Sequence, residues 1–318
     1  MTEPASARVP NLVIAGVLKS GTTSLFNYLA QHHDICPSDV KETRFFDPLR
    51  FGEPLEPVSR YADHVRHWKA ERYAIEATPG YLYGGQRLAR SMHEISPDVR
   101  VLLSLRSPSD RCWSSFRFVK SRARVPKAMT FEDYLDRCFE LNRQGIDSRR
   151  ENLTYWSLGS GCYARWLEAW HSEYGDRLKI VYFDDVKNDP VGVLKGICGW
   201  LDLDTDVVDS FDLAVENKTE QYRNAQAQRL ALAVNRRAER FFREHRTTKR
   251  ALRGMYYRVN RETSRLTVSA AAAATMADFY KPWDVLLAQQ LQAMRVPPPP
   301  WGLEGRARAQ LDRTPVIG

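Results

Sequence analysis

Residues Asn11 to Leu25 read NLVIAGVLKSGTTSL, and this stretch constrains the chain more than any other. Its nearly unbroken apolar start is the pattern of a buried strand, and it stops in Lys19, Ser20, Gly21, Thr22 and Thr23. A loop of glycine and hydroxyl residues between a strand and a helix presents successive backbone N–H groups and the positive helix end to a phosphate. Lys19 adds a mobile positive charge. A turn that merely caps the helix is the plainer alternative. The apolar run before it and Thr-Thr-Ser-Leu after it favour the anion-binding reading.

The same pattern recurs. Short apolar runs at Asn11–Leu18, Tyr73–Ala77, Val99–Leu105 and Leu178–Phe183 alternate with amphipathic stretches at Thr22–Gln31, Gln86–Ile95, Ser109–Ser121 and Pro190–Leu201. This alternation predicts an α/β fold, a single domain with a central parallel sheet flanked by helices. A further helix is expected over Gly161–Tyr174, with Trp166, Leu167 and Trp170 on one face, and another over Met276–Met294 that begins or kinks at Pro282.

The boundaries expected are a disordered N-terminus over 1–9, one domain over 10–296 and a Pro-rich tail over 297–318. Residues 220–265 are crowded with arginine and poor in large aliphatics, which reads as a solvated helical excursion or as a basic lid over an anionic ligand.

The formal charge of +8 suits an anionic ligand without specifying one. Five scattered cysteines, never closer than 24 residues apart, suggest neither a zinc site nor a disulfide framework. A reducing, cytoplasmic setting fits that usage, and no apolar stretch approaches the length of a membrane span, so no membrane anchor is expected.

A nucleotide-triphosphate loop needs lysine directly after its second glycine, with a hydroxyl beside it for magnesium. Here Lys19 precedes Gly21 by two residues, and the pattern is broken. The run IVYFDD, Ile180 to Asp185, resembles a magnesium-binding strand end, although helix capping is the more ordinary task for such an aspartate. Three other stretches separate the readings: Lys41-Glu42-Thr43-Arg44-Phe45-Phe46 after the first helix, Glu76-Ala77-Thr78-Pro79-Gly80-Tyr81 at the second strand's carboxyl end, and Arg106 through Ser114 after the third. In an open α/β sheet the carboxyl ends of the strands are the edge where ligands bind. An arginine at a strand end and a serine on the next helix can close on one phosphate from two sides.

With GVLKSGTTSL, KETRFF, IEATPGYLY, LRSPSDRCWSSF, the run GCYARWLEAWHSEYGDRLKIVYFDDVKNDP and FYKPWDVLL in that order, the chain resembles the PAPS-dependent sulfotransferases. It is most similar to the branch that holds the heparan sulfate sulfotransferases and bacterial homologues. The resemblance covers about residues 10 to 215 and implies PAPS as co-substrate, PAP as product and no metal. It assigns the 5′-phosphosulfate to a P-loop-like loop of Lys19, Ser20, Gly21, Thr22 and Thr23, and the 3′-phosphate to Arg106 and Ser114. Glu42 is implied as the base that deprotonates the acceptor, Lys19 as the stabiliser of the leaving oxygen and Lys41 as its neighbour that steadies the sulfuryl oxygens or tunes the glutamate. His32 and His33, read as ending the first helix, are the rival bases. The family's Lys-Gly-Arg loop has no counterpart after Phe211, and Asn217-Lys218-Thr219 with Tyr222 and Arg223 is the nearest substitute by position.

The acceptor implied is a hydroxyl, or an amine, of a small molecule, lipid or glycoside. Phe45, Phe46, Tyr81, Tyr83 and Trp113 either line an apolar acceptor site or pack the core. The competing classes are a nucleotide-dependent kinase or NTPase and a basic nucleic-acid-binding protein; with the sulfotransferase reading no nucleic-acid partner is expected.

Overall fold

The computed structural model describes residues 8–214 and 266–302, together with eleven isolated positions between 224 and 258. Most of the basic segment, with Tyr222 and Arg223, and most of the tail expected from the sequence lie outside the described residues.

The chain separates into two compact units, where the sequence is read as one domain over 10–296. The first comprises 1–111, 162–216 and 278–318, and the second 112–161 and 217–277. The first unit is built on five strands, β1 (Leu12–Gly16), β2 (Ile35–Pro37), β3 (Tyr73–Ala77), β4 (Arg100–Leu105) and β5 (Leu178–Tyr182). They form one sheet in the order β2-β3-β1-β4-β5, with every pairing parallel. All five residues of β1 are buried, as expected of a central strand covered on both faces. β1 lies between β3 and β4, where the order of connection switches sides, and an open parallel sheet holds a crevice at the carboxyl ends of such strands.

The helices of this unit include α1 (Thr22–Leu29), α2 (Val58–Asp63) and α3 (Gly85–Ile95). After a helix α4 (Pro108–Ser121) that runs into the second unit, and α5 (Phe131–Arg143) within it, come α6 (Ala164–Tyr174), α7 (Phe183–Asn188) and α8 (Pro190–Trp200). One sheet face carries Leu12, Ile14, Ile35, Ile75, Ala77 and Leu102, which pack with Leu25, Leu29, Leu194 and Ile197 of α1 and α8. Residues two apart along a strand share a face, so Leu12 with Ile14 and Ile75 with Ala77 form one apolar layer. Side chains of α6 tie it to α3 and to the 3-10 turn Tyr81–Gly84 before it: Tyr174 Oη donates to Ala89 O at 2.7 Å, and Trp170 Nε1 donates to Leu82 O at 2.9 Å.

In the second unit Thr130 and Asp133 form a reciprocal capping box at the start of α5. Behind it Phe131, Tyr134, Leu135 and Cys138 are buried. Tyr134 Oη donates to Thr154 O at 2.8 Å, which ties α5 to the short 3-10 turn Arg150–Tyr155.

Four expectations need correction. β1 is shorter than Asn11–Leu18 because Asn11 spends its side-chain carbonyl on the amide of Ala74 (2.7 Å) and the chain turns away after Gly16. The last helix starts at Ala270 and continues through Pro282 to Ala293. The alanine run has high helix propensity and starts it earlier, while proline removes only one intrahelical bond from a long helix. α1 ends at Leu29, so His32 and His33 do not end it. Asp184 and Asp185 lie in the first turn of α7, whose cap is Tyr182; the capping aspartate is Asp189, which accepts from Gly192 N at 2.9 Å.

Candidate active site

Because all strands are parallel, the segments after β1, β2, β3, β4 and β5 leave the sheet at one edge. Segments 17–21, 38–46, 78–80 and 106–107 are therefore neighbours by topology, and side chains from the strand ends fix where each loop runs.

The first loop is held from beneath. Val17 N donates to Ser104 O at 2.9 Å, Ser104 Oγ donates to Ser20 O at 2.6 Å, and Arg106 Nη1 donates to Lys19 O at 3.1 Å. Lys19 takes a left-handed backbone with φ 70, and Gly21 follows at φ 77. A Cβ on Gly21 would come within 3.0 Å of the Phe183 ring, so both the conformation and the close approach require glycine here. Gly21 is the N-cap of α1, and no side chain caps the helix. The N–H groups of its first turn thus lack the usual side-chain acceptor, and the helix dipole favours an anion there. Ser20 is fully buried and its Oγ has no hydrogen-bond partner. Arg106 Nε is likewise buried without one, while the guanidinium lies 4.5 Å from the centre of the Phe183 ring. Burial lowers the pKa of Arg106, with Asp110 and Asp184 opposing that effect.

The second loop carries opposed charges. Lys41 Nζ donates to Glu42 Oε1 at 3.2 Å and Arg44 Nη2 donates to Glu42 Oε2 at 3.1 Å. Burial raises the Glu42 pKa, but Lys41 and Arg44 together outweigh it and leave the carboxyl below its ordinary value. Glu42 is consequently ionised at neutral pH, as a proton acceptor must be. Glu42 and Arg44 both adopt left-handed backbones, with φ 68 and φ 60. Asp47 closes this stretch. Its Oδ1 lies 3.7 Å from Arg50 Nη1, and burial raises its pKa against the pull of Arg50 and Arg44. Sequence reasoning stops at Phe46 and misses Asp47, although the carboxylate is the next residue of the same charged-aromatic run.

The third segment supports the second. Thr78 Oγ1 donates to Glu76 Oε2 at 3.0 Å and accepts from Arg44 N at 3.2 Å. Tyr81 Oη sits 3.1 Å from Thr43 Oγ1 and accepts from Phe46 N at 3.3 Å. Glu76 is fully buried on β3, and burial pushes its carboxyl up to about 7, with Thr78, Tyr81 and Lys41 pulling the other way.

Lys19 through Thr23, Lys41, Glu42 and Arg106 thus all belong to segments at this one edge of the first unit. Ser114 falls in the second unit, on α4. The rival histidines do not belong to this edge. They precede β2, at the opposite, amino-terminal end of the sheet. His32 is buried, its Nε2 lies 3.1 Å from Asp204 O and its Nδ1 accepts from Asp34 N. Among the described residues His32, His33 and Asp34 bring possible metal-binding atoms together. Both His32 nitrogens are already used by the fold. An open pocket of about 300 Å³ lined by Asn11, Arg72, Tyr73, Asp98, Arg100 and Arg177 lies at that same end, where the arginines donate to Asp202 O, Trp200 O and Pro97 O.

The aromatic residues resolve as packing. Phe46 and Tyr81 are fully buried, with ring centres 5.4 Å apart edge to face, and Phe45 stacks on Tyr61 at 4.6 Å. Tyr83 meets Trp166 edge to face at 5.0 Å. In the second unit Trp113 packs on Phe131 at 4.9 Å. All five cysteines are buried free thiols. Among the described residues no helix is long and apolar enough to cross a membrane.

Against known proteins, the sequence profile described as the sulfotransferase family matches residues 56–207. The chain is 27% identical over 214 residues to heparan sulfate glucosamine 3-O-sulfotransferase 3A1 of Mus musculus, a match covering 66% of this chain and 50% of that protein. It is 24% identical over 204 residues to bifunctional heparan sulfate N-deacetylase/N-sulfotransferase 1 of Caenorhabditis briggsae, covering 61% of this chain and 23% of that one. The chain therefore spans half or less of the length of these curated relatives. Among solved structures, a sulfotransferase from Alicyclobacillus acidocaldarius superposes with a TM-score of 0.56 at 25% identity, covering 74% of this chain and 95% of that one. The parallel sheet, its flanking helices and these matches together give the chain the fold of the PAPS-dependent sulfotransferase family, related to the heparan sulfate sulfotransferases and to a bacterial sulfotransferase.

Proposed function

We propose that the chain transfers a sulfuryl group from PAPS to an acceptor hydroxyl and releases PAP. The observation that carries this reading is the loop from Lys19 to Thr23. A helix start without a side-chain cap, a buried Ser20 hydroxyl without a partner and a glycine that tolerates no Cβ all meet on one short segment. These are the features a bound phosphosulfate satisfies, since its oxygens accept from backbone N–H and hydroxyl donors. Arg106, with a buried Nε still to be satisfied, is the residue we assign to the 3′-phosphate. Ser114 is assigned there by resemblance alone, and Tyr222 and Arg223 lie outside the described residues.

When bound, PAPS supplies an activated sulfuryl group whose departure leaves negative charge on a phosphate oxygen. Lys19 and the uncapped turn of α1 neutralise charge at that position, which is how a preorganised site lowers such a barrier. Glu42, ionised between Lys41 and Arg44, accepts the proton of the attacking hydroxyl. The two cations that lower its pKa weaken it as a base but hold its carboxylate in one orientation. We take the acceptor to be a small molecule, lipid or glycoside.

A thermal-shift comparison tests the reading. PAP raises the melting temperature without magnesium, because a ligand that binds only the folded state stabilises it. Stabilisation by magnesium and ATP but not by PAP refutes the proposal in favour of a nucleotide-dependent kinase or NTPase. For the acceptor, labelled PAPS is incubated with a cell extract; label confined to polysaccharide overturns the small-molecule, lipid or glycoside assignment.

A further inference from the structure

Glu76 is a fully buried carboxylate that the proposed chemistry does not use, and it sits one layer below the loop that carries Glu42. It lies on the sheet face opposite Ile75 and Ala77, since neighbouring residues of a strand alternate. Its Oε2 accepts from Thr78, and its Oε1 is buried without a hydrogen-bond partner. The groups that face it are Lys41 from the loop, Tyr61 from α2 and Tyr81 from the 3-10 turn after β3, with the hydroxyls of Thr43 and Thr78. On β1 its ladder partner is Val13, which carries no charge. Lys41 is thus the cation that faces Glu76, and Lys41 is already bonded to Glu42.

The hydroxyl of Thr78 has one proton to give. An ionised carboxylate can only accept, so Glu76 commits that proton and leaves the Thr78 oxygen to accept from Arg44 N. A neutral acid or amide at position 76 can donate instead. The hydroxyl then loses its fixed orientation, and the bond it accepts from the Arg44 N–H through its second lone pair weakens. Arg44 holds a left-handed backbone at φ 60, two residues after Glu42 at φ 68, and neither conformation persists without outside support.

The geometry points to Glu76 as a positioning residue: its charge, relayed through the Thr78 hydroxyl, fixes the backbone of the loop that presents Glu42. Protonation of Glu76 loosens this support, which makes the loop's order dependent on pH. The catalytic consequence rests on the sulfuryl-transfer reading, whereas the backbone consequence does not.

The experiment has two arms. In the first, hydrogen exchange at residues 44–46 is measured without ligand at pH 8 in the wild type and in Thr78→Val, Thr78→Ser and Glu76→Gln. Thr78→Val and Glu76→Gln exchange at least about fivefold faster at Arg44, as a lost hydrogen bond requires, and Thr78→Ser keeps the protection. Unchanged exchange in both of the first two variants overturns the proposal. In the second arm PAP release is followed from pH 5.5 to 8.5. The wild-type kcat rises with pH along a limb set by Glu76; Glu76→Gln loses that limb and runs about 10- to 100-fold below the wild-type plateau, with KM for PAPS within about twofold. A limb that survives in Glu76→Gln overturns the proposal, as does a variant with wild-type kcat. A wild type that releases no PAP defeats the sulfuryl-transfer reading, and the exchange arm then decides the role of Glu76 by itself.

Discussion

Burying Glu76 has a cost that can be measured apart from any reaction. Its carboxyl rises from an ordinary value of 4.5 to about 7, with burial as the dominant cause. Between those two values the folded chain keeps a proton that the unfolded chain has released, so stability falls as the pH rises through this window and levels off above it. Integrating one proton between pH 5 and pH 8 gives roughly 2 to 3 kcal/mol of stability lost over that interval. Glu76→Gln keeps the shape, carries no charge at any pH and removes this dependence. Urea unfolding of both proteins at pH 5, 6, 7 and 8 therefore shows the variant gaining on the wild type as the pH rises, by roughly 2 to 3 kcal/mol in total. Most of the gain falls between pH 5 and pH 7. A difference between the two proteins that does not vary with pH refutes the reasoning, because it would mean that the charge on Glu76 is not paid for by the fold. The opposite sign, with the variant losing ground at high pH, would mean that Lys41 compensates the buried charge.

Arg106→Ala weakens PAP about tenfold or more beyond any effect on adenosine 5′-phosphosulfate, which lacks the 3′-phosphate, since a charge-assisted contact is worth roughly 1.5 to 3 kcal/mol. Arg106 also supports Lys19 O, so an equal loss for both ligands in calorimetry assigns it to that structural bond alone. Glu42→Gln lowers the single-turnover rate by about 10² to 10⁴ and leaves PAP affinity intact; a near-normal rate moves the base to another residue of this sheet edge. Gly21→Ala puts a Cβ 3.0 Å from the Phe183 ring, at a backbone angle of φ 77, and weakens PAP while costing roughly 1 to 2 kcal/mol of stability. Undiminished PAP affinity in that variant means that the loop N–H groups do not hold the ligand.

The sheet was legible because its strands are short and apolar and most of their residues are buried; Tyr73–Ala77 matches its expected bounds and the other expected strands differ by one or two residues at an end. β2 was not, since three residues ending in Pro37 are too few to show a period. α5 carried a usable signal in Thr130 and Asp133, three apart before an amphipathic run, and was passed over. For the site, residue types and order placed Lys19 and Arg106 at strand ends and Glu42 on the loop after the first helix, and it is β2 in the parallel sheet that brings Glu42 to the same edge. The aromatic residues of the second loop show the limit of that reasoning. Phe45, Phe46 and Tyr81 look the same in sequence whether they line a ligand or anchor a loop, and only burial distinguishes the two. Glu76 is similar: a glutamate at a strand end gives no sign of whether a counter-ion lies beside it.

Why the loops keep their unusual backbones follows from the same geometry. Lys19, Glu42 and Arg44 are half of the six non-glycine residues with positive φ among the described residues. Each such conformation costs about 1 kcal/mol or more and survives only where its surroundings over-determine it. The supports come chiefly from the ends of β3 and β4 and the residues that directly follow them. Ser104 and Arg106 hold the carbonyls of Ser20 and Lys19, while Thr78 and Tyr81 take the amides of Arg44 and Phe46. The first loop is held through the amide of Val17 and the carbonyls of Lys19 and Ser20, and the second through the amides of Arg44 and Phe46. This arrangement leaves the charges of Lys41 and Glu42 paired with each other and, at Glu42, with Arg44. It also makes the strand-end hydroxyls of Ser104 and Thr78 the points at which a single small substitution disorders the site without touching a charge.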